Sequence, residues 1–264
     1  MKKILITGFE GFVGKNVTSY LKENYNFSLT LIEKRYYSEK NWEQNIEKLI
    51  SESNIILHIG ADSNTLSKDI DHMMFYNFYI SKKIFDIAEK YNKLVVYSSS
   101  AACEGVDGYP SNLYGWTKYL GELYGIKNNS KFVALRYFNV YGPGEEHKGI
   151  MSSVAYQAYQ QKKFVLFPNN PKRDFVYIED VVRATVHPVF NEINSGVYHV
   201  GSGKSETFEK VLELLDVKYS YSNIESIPEG YQFNTKADNK LFQKGWVPHY
   251  SLEDGIKKYK EYLN

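Results

Sequence analysis

A second cysteine is missing: Cys103 stands alone, so no internal disulfide can staple this chain, and a reducing compartment, by default the cytoplasm, is the expected setting. Charge of either sign is not in excess. With 32 Lys plus Arg against 31 Asp plus Glu, there is no single-sign field to hold nucleic acid or an anionic membrane surface, and any anion has to be captured locally. Long apolar runs are lacking as well. The opening MKKILITG sets two lysines before the short run Ile4 to Thr7, too short for a signal-peptide core or a membrane span, which predicts a soluble protein. Zinc-ligand spacing is absent among the six histidines, so no metal is expected. Arginine is scarce: only Arg35, Arg136, Arg173 and Arg183 occur, which makes each one that falls in a motif more informative.

What is present begins with enough chain, 264 residues, for one sizeable core. Ile4 to Thr7 precede a glycine cluster, and Val13, Val17, Tyr20 and Leu21 then recur at helical spacing, giving strand, tight turn, helix. A strand at Ser28 to Ile32, an amphipathic helix marked by Trp42, Ile46, Leu49 and Ile50, and an apolar strand at Ile55 to Ile59 continue the βαβ rhythm. One helix is predicted from Met73 to Tyr91, then strands at Leu94 to Tyr97 and Phe132 to Tyr137. The second half is less regular, with a helix near Ser152 to Gln161, a strand near Phe175 to Tyr177, a helix after Asp180 and a strand near Val197 to Val200. Such alternation specifies an α/β chain with a Rossmann-type, doubly wound parallel sheet, its ligands at the carboxyl ends of the strands. The expected partition is a dinucleotide-binding domain over 1–140 and 172–202, with 141–171 and 203–264 forming a small C-terminal substrate lobe.

Three constellations carry chemistry. Gly8, Gly11 and Gly14 stand in GFEGFVG between the first strand and the first helix, where absent side chains let a pyrophosphate approach backbone amides and the positive end of a helix. A tight turn packed close to a sheet would use the same glycines. Glu33, nineteen residues after Gly14 at the end of the second strand, suits hydrogen bonds from an adenosine ribose, whereas Lys34 and Arg35 beside it suit a 2′-phosphate; NAD and NADP both remain open. Tyr114 and Lys118 in YGWTK are four apart, hence on one helix face, where an ammonium favours the phenolate and readies it for proton exchange with a sugar hydroxyl. Ser98, Ser99 and Ser100 end the strand from Leu94, at the edge where such a sheet places its active site. His58 ends an apolar strand and reads as a packed residue; Asp180 reads as the cap of the next helix, and Ser251 with Asp254 as a capping box.

With the glycine turn, SSSA, YGWTK, RYFNVYGP (136–143), RDFVYIEDV (173–181) and YHVGSG (198–203) in view, nearly the whole chain resembles the extended short-chain dehydrogenases of the NAD-dependent epimerase/dehydratase group. Within that group RYFNVYGPGEEHKGIMSSVA and GYQFNTKAD look most like the ADP-glycero-manno-heptose 6-epimerase branch. The resemblance implies a nucleotide-sugar epimerase with NAD or NADP as cofactor, a nucleotide-diphosphate sugar as partner, and self-association. It makes Tyr114 one acid/base, Lys118 its partner, Ser100 the group that orients the hydroxyl, and Lys148 in HKG a second acid/base. It also implies a cofactor lined by Phe9, Phe12, Val13, Gly60, Ala61, Asn77, Ser98, Tyr137, Asn139 and Val140, besides the glycines, Glu33 and Lys34. Asn139, Arg173 and Tyr231 would contact the sugar nucleotide, with Arg173 as a planar clamp on the diphosphate.

The chain also departs from the group. Residues 36–53 leave room for one helix where the family fits a further strand and an acidic contact to adenine, so both are expected to be missing. Glu104 takes the place of a tyrosine beside the serines, and Ile150 and Gln157 replace polar pocket residues. A 4,6-dehydratase would carry Thr-Asp-Glu where this chain has Ala102, Cys103 and Glu104. A UDP-sugar 4-epimerase, a nucleotide-sugar dehydrogenase or reductase, and a cofactor-binding sensor or scaffold without turnover are the alternatives.

Overall fold

A computed structural model describes residues 1–227 and 231–264, without the side chains of Ile150 and Ser226, so the expectation for Ile150 falls outside the described residues. The apolar runs become strands because both of their faces are covered. In chain order come β1 (Lys3–Thr7), α1 (Phe12–Asn24), β2 (Ser28–Ile32), a 3-10 turn (Lys34–Ser38), α2 (Trp42–Glu52) and β3 (Ile55–His58). Next are α3 (Ile70–Met73), a π turn (Met74–Tyr79), α4 (Ile80–Lys90), β4 (Leu94–Ser100), α5 (Leu113–Asn128), β5 (Phe132–Tyr137) and β6 (Asn139–Tyr141). The chain continues through α6 (Val154–Gln161), β7 (Lys163–Leu166), β8 (Lys172–Arg173), β9 (Phe175–Tyr177), α7 (Ile178–Phe190) and β10 (Gly196–Val200). It closes with β11 (Glu206–Thr207), α8 (Phe208–Leu214), β12 (Lys218–Tyr221) and α9 (Leu252–Leu263).

Six strands form one sheet in the order β10-β5-β4-β3-β1-β2, every pair parallel. This is the doubly wound Rossmann-like arrangement that the βαβ rhythm calls for. β2 is an edge strand, because the segment between it and β3 forms only the 3-10 turn and α2; the sheet is narrower there, as the shortness of 36–53 predicts. Alternate residues of each strand feed opposite layers. Ile4 and Ile6 pack with Val17, Leu21 and Val181, while Leu5 packs with Ile46, Ile50, Ile84 and Phe85. Each fully buried aliphatic side chain contributes about 1.5–3 kcal/mol of transfer free energy.

Two local expectations need correcting, and a third holds. The helix drawn from Met73 to Tyr91 is interrupted by the π turn, whose Asn77 carbonyl accepts a hydrogen bond from Ser81 Oγ at 2.7 Å; apolar periodicity alone does not register such an insertion. β4 ends with the serines as expected, Ser98, Ser99 and Ser100 pairing with Leu135, Arg136 and Tyr137 of β5. Asp180 is not a cap: α7 starts two residues earlier, and the buried carboxylate accepts the backbone N–H of His249 and of Tyr250, each at 3.0 Å, and pairs with Arg183. It anchors the C-terminal segment to α7. Ser251 does cap α9, accepting the N–H of Asp254 at 3.1 Å.

Asp174 holds the loops around β10 in the same manner. Fully buried, it accepts the N–H of Ser202 (2.6 Å), Gly203 (2.9 Å) and Ala237 (3.0 Å) and the Ser202 hydroxyl (2.8 Å). Asp174→Ala leaves three backbone donors without their acceptor. The expected cost is about 3 kcal/mol, read as a drop in Tm of roughly 6–12 °C; an unchanged Tm would show that water replaces the carboxylate without loss.

Candidate active site

At the carboxyl edge of the sheet lies a cavity of about 660 Å³, lined by the glycine turn, Glu33 and Lys34, Gly60 to Thr65, Ser98 to Ser100, Tyr114, Tyr137 to Val140, and His147 and Lys148. The three glycines are bare for different reasons. Gly8 has φ +69°, and a Cβ on it would come within 2.4 Å of Gly60 Cα; one on Gly14 would sit 2.0 Å from the Gly8 carbonyl oxygen. Packing therefore dictates both. A Cβ on Gly11 would meet only Gly8 O, at 3.4 Å, an ordinary contact, so its bareness matters to whatever fills the cavity. Gly11 also precedes α1 without a side-chain cap, and the first turn holds no acidic residue; the positive end of the helix is left for an anion.

On the opposite side of the sheet's switch point stand the groups with proton chemistry. Tyr114 on α5 lines the cavity, and burial pushes its phenol up to about 12 against the lowering effect of a hydrogen bond with Ser100. The lysine at i+4 was expected to make that phenol more acidic. Desolvation outweighs any such effect. Lys118 itself is 1% exposed, burial pulls its ammonium down to about 7, and Nζ has no hydrogen-bond partner among the described residues. A buried amine with open donors is what a ligand hydroxyl would satisfy.

A buried polar chain links the glycine turn to this helix. Gly60 N donates to Thr7 Oγ1 (3.1 Å), which lies 2.7 Å from His58 Nδ1; His58 Nε2 lies 2.8 Å from Ser81 Oγ, which donates to Asn77 O. Since the Ser81 proton is committed to Asn77, His58 donates from Nε2 and accepts from Thr7 at Nδ1. Burial, and then the Lys118 charge, push the imidazole down to about 3, so it stays neutral. Asn77 was expected against the cofactor. Instead it is fully buried, with its amide bonded to the Asp62 backbone (2.7 and 2.9 Å) and to Thr117 Oγ1 (3.1 Å), whose hydroxyl donates to Tyr114 O at 2.8 Å.

The remaining expected residues divide similarly. Phe12, Val13, Glu33, Lys34, Gly60, Ala61, Ser98, Ser100, Tyr137, Asn139, Val140 and Lys148 line the cavity, whereas Phe9, Lys118, Arg173 and Tyr231 stand outside the lining. Arg173 is 9% exposed, with its guanidinium 5.0 Å from the Tyr231 ring and 5.5 Å from that of Phe208, which does line the cavity. Half-buried Lys148 has its ammonium lowered by burial, with Glu145 opposing. Sequence reading missed Glu145, although it stands only two residues before HKG. Fully buried, its carboxylate accepts Gly142 N (3.2 Å), Ser153 N (2.5 Å), Ser153 Oγ (2.7 Å) and Tyr259 Oη (3.0 Å), and so fixes the loop that carries Lys148. Tyr37, Asp62 and Tyr76 at the β2 side of the cavity were missed too, because three separate segments bring them together. Glu104 lies 2.9 Å from His199 and 3.3 Å from Arg136.

Comparison with known proteins bears on the family and the fold. Residues 4–201 match the model of the NAD dependent epimerase/dehydratase family. An ADP-L-glycero-D-manno-heptose-6-epimerase of Brachyspira hyodysenteriae is 33% identical, covering 98% of this chain and 97% of its own. The crystal structure of the corresponding Helicobacter pylori epimerase superposes with a TM-score of 0.85 at 26% identity, covering 99% of this chain and 96% of that one. A Bacillus cereus UDP-glucuronic acid 4-epimerase in complex with UDP-glucuronic acid and NAD shares the fold, with a TM-score of 0.82, 21% identity and coverage of 99% and 98%.

Two glycine variants separate packing from ligand binding. Gly11→Ala is expected to keep the native Tm yet lose the thermal shift given by NADH or NADPH, while Gly14→Ala loses stability as well. Undiminished protection of Gly11→Ala by both dinucleotides would remove the glycine turn from the binding site.

Proposed function

The chain belongs to the NAD dependent epimerase/dehydratase family, and from that premise we propose that it is a nucleotide-sugar epimerase acting by transient oxidation and re-reduction, with an ADP-heptose inverted at C6 as its substrate. The supporting observation is that Ser100, Tyr114 and Lys148, from three separate elements, line one cavity together with the bare glycine turn. The heptose assignment draws on the relatives from Brachyspira hyodysenteriae and Helicobacter pylori.

The residues fit a nicotinamide dinucleotide: the cradle over Gly11, the uncapped start of α1 and the open donors of Lys118 Nζ all await polar partners. Such a cofactor, when bound, supplies reversible hydride transfer, which no side chain provides. The protein's own part is proton chemistry and orientation. Ser100 Oγ hydrogen-bonds the reacting oxygen; Tyr114 takes its proton as the carbonyl forms only as a phenolate, which the Lys118 ammonium has to favour against the effect of burial, and the phenol so formed returns the proton as the alcohol is restored. A carbonyl presented by its other face needs a second donor, a role that suits Lys148, whose lowered ammonium pKa eases proton release. Glu145 keeps that loop in place.

Of the two dinucleotides we propose NAD. Glu33 lines the cavity at the end of β2, Arg35 is already paired with Glu33, and Lys34 is held between Asp62 (3.6 Å) and the face of Tyr76 (4.3 Å). Both cations that would receive a 2′-phosphate are therefore engaged, and the phosphate would meet a carboxylate.

Fluorescence titration should give NADH at least about tenfold tighter binding than NADPH, a gap that Glu33→Gln narrows; tighter NADPH would reverse the assignment. Tyr114→Phe is expected to bind NADH as the native chain does and to lose about 10²–10⁴ in turnover, and normal turnover would refute its acid/base role. NMR of the products should show inversion at C6 of an ADP-heptose. Inversion at C4 of a UDP-hexose, or net oxidation, would choose a different member of the family.

A further inference from the structure

Lys118 keeps its ammonium among groups that offer it no free anion. Glu122, four residues on in α5, is committed to Arg136 (2.7 and 2.9 Å) and to Ser99 Oγ (2.5 Å). Cys103, after β4, has its thiol pushed up to about 12 by burial, and His58 on β3 is neutral. Tyr114, on the same helix, has a phenol raised by burial and is uncharged near neutral pH. Glu122 and Cys103 still favour the ammonium through space, but the one attractive surface in direct contact with it is a ring. Lys118 Nζ lies over the ring of Tyr97 on β4, 4.2 Å from its centroid.

The fold builds this contact deliberately from three elements. Tyr97 is fully buried, packed edge-on by Phe85 at 5.3 Å and nearly parallel to His58 at 5.7 Å, so its ring cannot turn away. Gly121, one helical turn after Lys118, makes room for it: a Cβ there would stand 2.5 Å from Tyr97 Oη. A desolvated ring face is a stronger site for a cation than an exposed one, because water no longer competes for the charge.

We propose that Tyr97 is a positioning residue whose ring face, rather than any hydrogen bond, holds Lys118 in its charged form and in place behind the cavity wall made by Ser100 and Tyr114. In its use of Lys118 as the partner of Tyr114 this rests on the function proposed above, but the contact itself does not.

The test is a titration of Lys118 by NMR in the ligand-free, lysine-labelled full chain, with the resonance assigned by its disappearance in Lys118→Met. Tyr97→Phe keeps the ring and should titrate as the native protein does. Tyr97→Leu removes the ring and should lower the lysine midpoint by about one pH unit. If Tyr97→Leu does not fold, Tyr97→Met supplies the ring-free arm. A native midpoint in the ring-free variant overturns the proposal, and so does an equal fall in Tyr97→Phe, which would assign the effect to the hydroxyl. In turnover assays the pH at which kcat/KM rises should move upward in the ring-free variant and return in Tyr97→Phe; a limb that stays put counts against positioning. Normal turnover in Tyr114→Phe alongside the expected lysine shifts would sink the acid/base reading and leave the contact standing.

Discussion

The structure turns on one close approach of backbone to backbone. Gly8, just after β1, faces Gly60, just past β3, with no space for a methyl group between them, and Gly14 of α1 closes on the Gly8 carbonyl. Only that approach brings the uncapped start of α1 over the edge of the sheet, and only there do β1 and β3 diverge to opposite helical layers. The cavity is the space left where they part. A parallel sheet then delivers the ends of β2 and β4 to the same rim, which is why Glu33 and Ser100 line a single volume although 67 positions separate them.

Buried polar side chains convert that packing into alignment. The run Thr7, His58, Ser81, Asn77 and Thr117 ties the glycine turn to the backbone of Tyr114 through bonds whose donor direction is fixed at every step. The π turn fits this purpose. It frees the Asn77 carbonyl for Ser81, and the amide then reaches both the Asp62 loop and α5. Farther out, three buried carboxylates act on loops rather than on chemistry: Glu145 on the Lys148 loop, Asp174 on the turns after β10, and Asp180 on the C-terminal segment. Each gathers backbone N–H groups that no helix or sheet would satisfy.

Reading the chain by period and spacing located the six sheet strands, the glycine turn, the Tyr114/Lys118 pair and the serine edge, because those features are local: they depend on burial alternation within a strand or on i, i+4 proximity within a helix. The shortened β2 edge was legible for the same reason, as a count of residues too small for another strand. Local reasoning failed where the environment decides. Asp180 looked like a cap but serves a segment seventy residues away, and Asn77 looked like a ligand contact but is consumed by its own fold. Glu145 carried no signal beyond its neighbours, since its partners include Tyr259.

The sequence by itself therefore determined the sheet, the edge at which the cavity opens and several of the polar side chains that line it, all of which follow from spacing along one stretch of chain. Tertiary structure alone decided their condition. Whether Tyr114 is acidic, whether Lys118 has a partner, and which face of which ring lies against it depend on desolvation and on groups that distant strands carry, and neither quantity is written in the order of residues.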